Sequence, residues 1–445
     1  MIKHTLLPAS EFVSRRDKFA AQMEPNSVAF ISANKEVTRS NDTEYSFCQD
    51  KNFYYLTGFN EPDALLLLIK IAGAQAEYQS ILFCRDKDPM QEVWHGRRVG
   101  PELAKEAYVF DQTFTLDKMD EQVTSLINGV ENVYHCFTDV DLNKQVDLWI
   151  KQVASQLKMG KRSPTVKFDC SDIIHELRLI KSEAELEIMR QVNVISGNAH
   201  QRAMKYSRAG RFEYQIEAEI LHEFASNGAR FAAYNSIVAG GDNANILHYT
   251  DNQEELEADQ LLLIDAGGEY AGYAADITRT FPINGKFTEE QKAVYELVLK
   301  SQIVAIEAIK PGMTFARLNE LVGEVLTQGL FDLGILTGNI DELLKANACK
   351  KFFIHGLGHW LGLDVHDVGD YHINEKRQQL REFKPGMVMT IEPGIYIPKG
   401  CDVEPKWQGI GVRIEDNIAV TESGYENLTV NSPKTIADIE ALMQS

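Results

Sequence analysis

A chain of 445 residues is longer than one ordinary hydrophobic core organises, so two domains are expected. Hydrophobic residues at 44% and charged residues at 25% give a globular mix, and a formal net charge of -20 argues against a nucleic-acid footprint. No run of eighteen apolar residues is present, which argues against a membrane span. The opening MIKHTLLPASEFVSRR has neither a long apolar core nor a small-residue cleavage site. Six scattered cysteines (Cys48, Cys84, Cys136, Cys170, Cys349 and Cys401) form no zinc-like pair and fit a reducing compartment. A cytoplasmic protein is expected.

In chain order, residues 9–23 read as a helix and Asn26–Ala33 as a strand. Phe53–Phe59, Ala64–Ile69 and Tyr78–Cys84 read as further strands. Helices follow near Pro101–Tyr108, Asp117–Ile127 and Asp141–Leu157, and the alternation reads as a small α/β domain. Two polar loops stand out there. One is TRSNDTEY, with Asp42; the other is Trp94–Arg98, whose aromatic and basic residues suit an interface or ligand rim. The Gly- and Pro-containing connection Lys158–Pro164 and the run VKFDC lead to Ser171–Leu179. A charged helix then spans Ser182–Tyr206, opened by the capping box of Ser182 and Glu185. The domains are therefore expected at 1–173 and 174–445.

In the second domain, Tyr214–Asn227 reads as a helix ended by Gly228, and Phe231–Val238 as a strand, with His248 beyond it in NILHYT. Thr288–Ile309 is a helix stopped by Pro311-Gly312, and Phe315–Gln328 is the next. Helices at 182–228 lead to acid-bearing strands at 261–281, and helices at 288–328 lead to acid-bearing strands at 387–420. This reads as an α+β domain of two halves that meet at a shared site.

The chemistry concentrates between Leu261 and Val420. In LLLIDAGGEYAGYAADITRTFP, a hairpin centred on Tyr270 and Ala271 would set Asp265 directly opposite Asp276, about 5 Å apart. Two bare carboxylates that close repel unless a cation lies between them. Glu392 interrupts VMTIEPGIYI and Glu415 interrupts IGVRIEDNIAV, again acids beside apolar runs, where an unpaired charge costs several kcal/mol. His355, His359 and His366 share the glycine-rich run HGLGHWLGLDVHD, whose Gly356, Gly358 and Gly362 favour a loop over a helix. No HExxH motif is present. Four carboxylates and one imidazole can hold two divalent cations, with some carboxylates bridging. Arg413 shares strand parity with Glu415 and can orient carboxylates around the site.

The ordered set Asp265, Asp276, His359, Glu392 and Glu415 resembles the dimetal site of the methionine aminopeptidase and prolidase class, which has the pita-bread fold. HGLGHWLGLDVHD, TIEPGIY and GVRIEDN resemble its proline-specific members. TRSNDTEYSFCQDKNFYYLTGF and WHGRR narrow the resemblance to bacterial aminopeptidase P over nearly the whole chain. The resemblance implies two Mn(2+) ions per subunit. Asp265 would hold one ion through both oxygens, Asp276 and Glu415 would bridge, and His359 and Glu392 would complete the other. It further implies Glu392 as proton shuttle and His366 at the transition-state oxygen. His355 and His248 would shape the proline pocket, and Tyr396 would donate a hydrogen bond behind the ligands. Asp42 and Trp94 match residues that approach an active site within the family's oligomer, so a homo-oligomer, a tetramer built as a dimer of dimers, is expected. The implied substrates are peptides with proline at position 2. The alternatives are a dipeptidase of the prolidase type and a non-catalytic interaction protein on the same fold; the complete ligand set opposes the latter.

Overall fold

The computed structural model describes residues 6–70, 78–374, 376 and 378–445. It divides into two compact units, the first ending at Arg178 and the second being Leu179–Ser445. The expected boundary at 173/174 lies inside the helix Ser171–Leu179, and the division between units falls near that helix's end.

The first unit is built on a six-stranded mixed sheet. Its order is Gln112–Thr115, Tyr78–Cys84, Leu65–Lys70, Ser27–Ser32, Asn132–His135 and Val166–Asp169. The central strands SVAFIS and LLLLIK are almost wholly buried, as expected of strands covered on both faces. Val28, Phe30, Leu67 and Phe83 pack with Trp149 from the helix Val140–Ala154, and Phe30 stacks on Trp149.

Three local expectations in this unit are corrected. FYYLTGF is a helix, Lys51–Thr57, not a strand. Asp50 caps it by accepting the Phe53 N–H at 2.7 Å, Gly58 ends it in the left-handed region, and burial of its aromatic residues outweighs their strand propensity. Trp94 and His95 end a short helix, Pro89–His95, capped by Asp88, so only the remainder of WHGRR is loop. TRSNDTEY is a small hairpin, Thr38–Ser40 with Thr43–Glu44, and Asp42 lies in its turn.

The second unit repeats one pattern twice. The helices Glu183–Tyr206 and Glu213–Ser226 precede a three-stranded sheet of Ile237–Gly240, Leu261–Asp265 and Thr278–Pro282. The helices Glu289–Glu307 and Phe315–Asp332 precede a second sheet of Val388–Ile391, Asp416–Val420 and Tyr425–Asn427. Beside the latter, Gly394–Ile397 pairs with Ile410–Arg413. The Ser182 capping box is present, with Glu185 reaching back to the Ser182 N–H at 2.9 Å.

The register of the first acidic hairpin differs from expectation. Asp265 stands opposite Thr278, not Asp276, and the turn is Ala271-Gly272, one residue later than expected. A two-residue turn of this hand needs positive φ at both centres; Gly272 (φ 90°) takes it freely and Ala271 (φ 51°) tolerates it. The run Phe231–Val238 is also not one strand. Phe231–Ala232 joins a separate small sheet, Ile237–Gly240 joins the main one, and Tyr234 lies in the gap. Likewise Arg413 and Glu415 do not share a strand: the chain leaves one ladder after Arg413 and enters another at Asp416.

Candidate metal centre

Each proposed ligand sits at an interruption of regular structure. Asp265 ends its strand, and Asp276 precedes Thr278–Pro282. Glu392 occupies the break between Val388–Ile391 and Gly394–Ile397, and Glu415 the break between Ile410–Arg413 and Asp416–Val420. Buried strands supply rigid flanks, and the breaks free side chains to converge. Gln302 of the helix Glu289–Glu307 ties two of these breaks together. Its amide donates to the carbonyls of Ile391 (3.2 Å) and Ile414 (3.1 Å), the residues just before Glu392 and Glu415.

The side chains converge on a cavity of about 390 Å³. Asp265, Asp276, His359, Glu392 and Glu415 line it, as do His248, His355, His366 and Arg413, so all nine sequence-derived site residues come together. A larger hollow of about 1360 Å³ lies in the first unit and contains none of them. Ligand atoms of Asp276, His359 and Glu415 lie within 4.8 Å of one another. His359 Nε2 is 3.3 Å from Asp276 Oδ2 and 3.6 Å from Glu392 Oε1.

Two details make this set fit a cation. His359 Nδ1 faces the Trp360 carbonyl at 2.9 Å, which assigns the proton to Nδ1 and aims the Nε2 lone pair at two carboxylates. Lone pair against carboxylate is repulsive unless a proton or a metal stands between. Tyr234 poses the same problem: its hydroxyl lies 2.5 Å from both Asp265 Oδ1 and Asp276 Oδ1 and has one proton for two acceptors. Without a metal, one carboxyl must keep its own proton. Burial, then the charge of Asp265, pushes Asp276 well above the usual carboxylate range. Burial and neighbouring carboxylates do the same to Glu415, and burial raises Glu392. Burial would raise Asp265 too, but the Arg413 guanidinium at 2.7 Å holds it below its ordinary value.

Arg413 also donates to Thr278 Oγ1 (3.1 Å) and to Tyr396 Oη (2.9 Å). Thr278 in turn donates to Glu415 Oε2 at 2.7 Å, and Tyr396 reaches His355 Nε2 at 2.7 Å. Because His355 Nδ1 faces the Gly356 carbonyl at 2.7 Å, Nε2 is the acceptor. Burial, reinforced by Arg413, pushes the His355 pKa down to about 4, so this imidazole is neutral at pH 7. His366 packs edge-on against His359, with ring centroids 4.3 Å apart, and burial lowers its pKa.

Sequence reasoning missed Tyr234, Thr278, Thr390 and Gln302. Thr278, two residues past Asp276, is the one a pattern could have found. Thr390 donates to Glu392 Oε1 at 3.2 Å. Tyr234 and Gln302 lie far from the acidic strands in sequence and carry no local signal.

The fold and the convergent ligand set define a metallopeptidase. Residues 187–422 match the model of metallopeptidase family M24, and residues 12–134 match the aminopeptidase P N-terminal domain. The chain is 45% identical to Xaa-Pro aminopeptidase of Escherichia coli (strain K12), over 97% of both chains. It is 46% identical to that of Haemophilus influenzae, over 98% of both. Among solved structures, E. coli aminopeptidase P with the inhibitor Pro-Leu superposes at a TM-score of 0.95, with 44% identity over 98% of each chain. Proline aminopeptidase P II from Yersinia pestis gives the same TM-score at 45% identity, covering 98% of this chain and all of that one. The chain belongs to metallopeptidase family M24, with the pita-bread fold and an aminopeptidase P N-terminal domain, and is a metal-dependent exopeptidase of the Xaa-Pro aminopeptidase class.

Proposed function

We propose that this enzyme releases the N-terminal residue from peptides whose second residue is proline, using two manganese ions per subunit. The observation that carries the reading is the cavity itself. Three carboxylates without a fixed protein cation, Asp276, Glu392 and Glu415, gather beside His359, whose lone pair is aimed at the first two, and His248, His355, His366 and Arg413 surround them. Asp265, Asp276, His359, Glu392 and Glu415 would hold the ions. Bound there, the ions supply Lewis acidity and lower the pKa of water enough to give a nucleophile at neutral pH. Oxygen-rich donors suit manganese, among other hard or borderline cations. One solved E. coli relative is zinc substituted, so reconstitution should compare both metals.

The protein's own groups then divide the work. Glu392 carries the proton from the attacking water to the proline nitrogen, which must be protonated to leave. His366, packed edge-on against His359, donates to the oxygen that gains charge. Neutral His355, held between Gly356 and Tyr396, shapes the proline side together with His248. Arg413 keeps Asp265 ionised and aligned. We further propose a homo-oligomer, a tetramer in keeping with the family resemblance, with Asp42 and Trp94 contributing across subunits. The functional domains are taken as 1–173 and 174–445, and residence as cytoplasmic.

The deciding assay offers Xaa-Pro, Xaa-Pro-Yaa and Xaa-Ala-Yaa under Mn(II) and quantifies the released N-terminal residue. Appreciable cleavage is expected only for Xaa-Pro-Yaa. A pocket shaped for the pyrrolidine ring gains roughly 1–3 kcal/mol over alanine, or about 10–200-fold in rate. Preference for the dipeptide would make the enzyme a prolidase, and equal cleavage of Xaa-Ala-Yaa would remove the proline specificity.

A further inference from the structure

The helix Glu213–Ser226 begins with a carboxylate that the chemistry above does not use. Glu213 is fully buried. Its Oε1 accepts from the Gly240 N–H at 2.8 Å and from the Asn243 side-chain amide at 3.1 Å. Its Oε2 accepts from the Tyr249 hydroxyl at 2.7 Å and from the Glu254 N–H at 2.9 Å. These donors come from both ends of one segment, 240–254, which leaves the strand Ile237–Gly240 and returns to pair with residues 210–213. Midway along, the segment carries Leu247 and His248 into the catalytic cavity. Between Gly241–Asn245, a short 3-10 turn, and Leu256 it forms no strand ladder. Its shape therefore depends on ties such as this one.

We propose that Glu213 is a positioning residue for the peptidase reaction. It fixes segment 240–254 and thereby the place of His248 against the proline side of the substrate. This rests on the reading of His248 as a substrate-holding residue. The role requires a carboxylate. Four donors converge on two oxygens, and a glutamine offers one acceptor oxygen and one donor nitrogen in their place. The Tyr249 hydroxyl can turn to accept from an amide; the backbone N–H of Glu254 or Gly240 cannot, and is left buried without a partner. Because His248 contacts bound peptide and is not a proposed metal ligand or proton shuttle, the consequence falls on substrate binding.

The test uses the metal-loaded enzyme and an Xaa-Pro-Yaa peptide. Glu213→Gln should raise KM about tenfold with kcat within about twofold, the pattern of lost uniform binding, and with unchanged metal stoichiometry. Tyr249→Phe removes one donor and should shift KM the same way by less. In a His248→Ala background, either change should add less than about twofold, because the effect runs through His248. A full KM effect in that background overturns the proposal, as do two single variants with wild-type KM. If His248→Ala itself leaves KM unchanged, the substrate-holding role of His248 fails first and the proposal with it. If Glu213→Gln does not fold, the Tyr249→Phe and His248→Ala cycle decides.

Discussion

Glu415 and Asp416 are neighbours in the chain, each 1% exposed, and they stand in opposite electrostatic surroundings. Asp416 faces protein cations. Arg279 donates to it at 2.7 Å and Lys434 pairs with its other oxygen, while Thr429 and Asn427 add hydrogen bonds at 2.8 and 2.9 Å. The remaining Arg279 donors go to the carbonyls of Thr278, Glu415, Ser432 and Pro433, so the guanidinium is fully used. Burial alone would raise the Asp416 pKa, but the two cations hold it well below the usual carboxylate range. Glu415 points the other way, toward Asp276 and Glu392, and burial with those charges drives it far upward. A buried carboxylate matched by protein cations belongs to the fold. One left unmatched beside others marks where the fold takes a cation from outside.

The strongest way to break the contrast is to remove an unmatched charge and follow the metal. Glu415→Gln should lower metal affinity by more than the ~10–100-fold typical of losing a partner behind a ligand, and turnover should fall with it. Glu392→Gln should add the loss of the proton shuttle, of order 10²–10⁴ in rate. Chelation should abolish activity, and Mn(II) should restore it to two ions per subunit by metal analysis. Near-normal turnover with unchanged metal content in either variant would remove that residue from the site.

Stability should answer in the opposite sense at the next residue. Asp416→Asn leaves the buried Arg279 and the half-buried Lys434 with a missing partner, a change that for a buried pair typically costs about 3–5 kcal/mol. Glu415→Gln in metal-free protein relieves repulsion and should be neutral or slightly stabilising. Denaturant titration of both variants after chelation checks this. Comparable destabilisation by the two would erase the distinction between matched and unmatched acids.

That distinction was only half legible in the sequence. The four acids were visible because acids beside apolar runs are costly, and such runs read directly as buried strands; His359 stood out by its glycine-rich run and by the family resemblance. The helix 183–206 was visible because its capping box is a local signal. What local signals do not encode was missed. The hairpin register turned on which residue tolerates positive φ at 271. The helix Lys51–Thr57 was hidden because its apolar residues are buried together, which leaves no helical stripe to read. Tyr234, Gln302, Glu213 and Arg279 act through partners distant in sequence, which no local pattern encodes.

The smallest expected effect is a pH dependence that separates the two acid environments in one measurement. Asp276, Glu415 and Glu392 have folded pKa values raised above their unfolded values near 4. In the metal-free protein, the stability tied to those protons is full below about pH 4 and is lost as pH rises through the folded values. Asp416 has the reverse sign: its contribution is present above an unfolded pKa near 4 and is lost as pH falls toward its depressed folded value. Chelated protein should therefore be most stable in mildly acidic buffer and lose of order 1 kcal/mol or more between pH 5 and 8. In metal-loaded protein the cations replace the protons, so that loss should vanish, and the gap between loaded and chelated stability should widen with pH. Denaturant midpoints of both forms across this range provide the check. A chelated protein that gains stability from pH 5 to 8, or a gap that narrows, would mean that the three site carboxylates are already balanced by the protein, as Asp416 is.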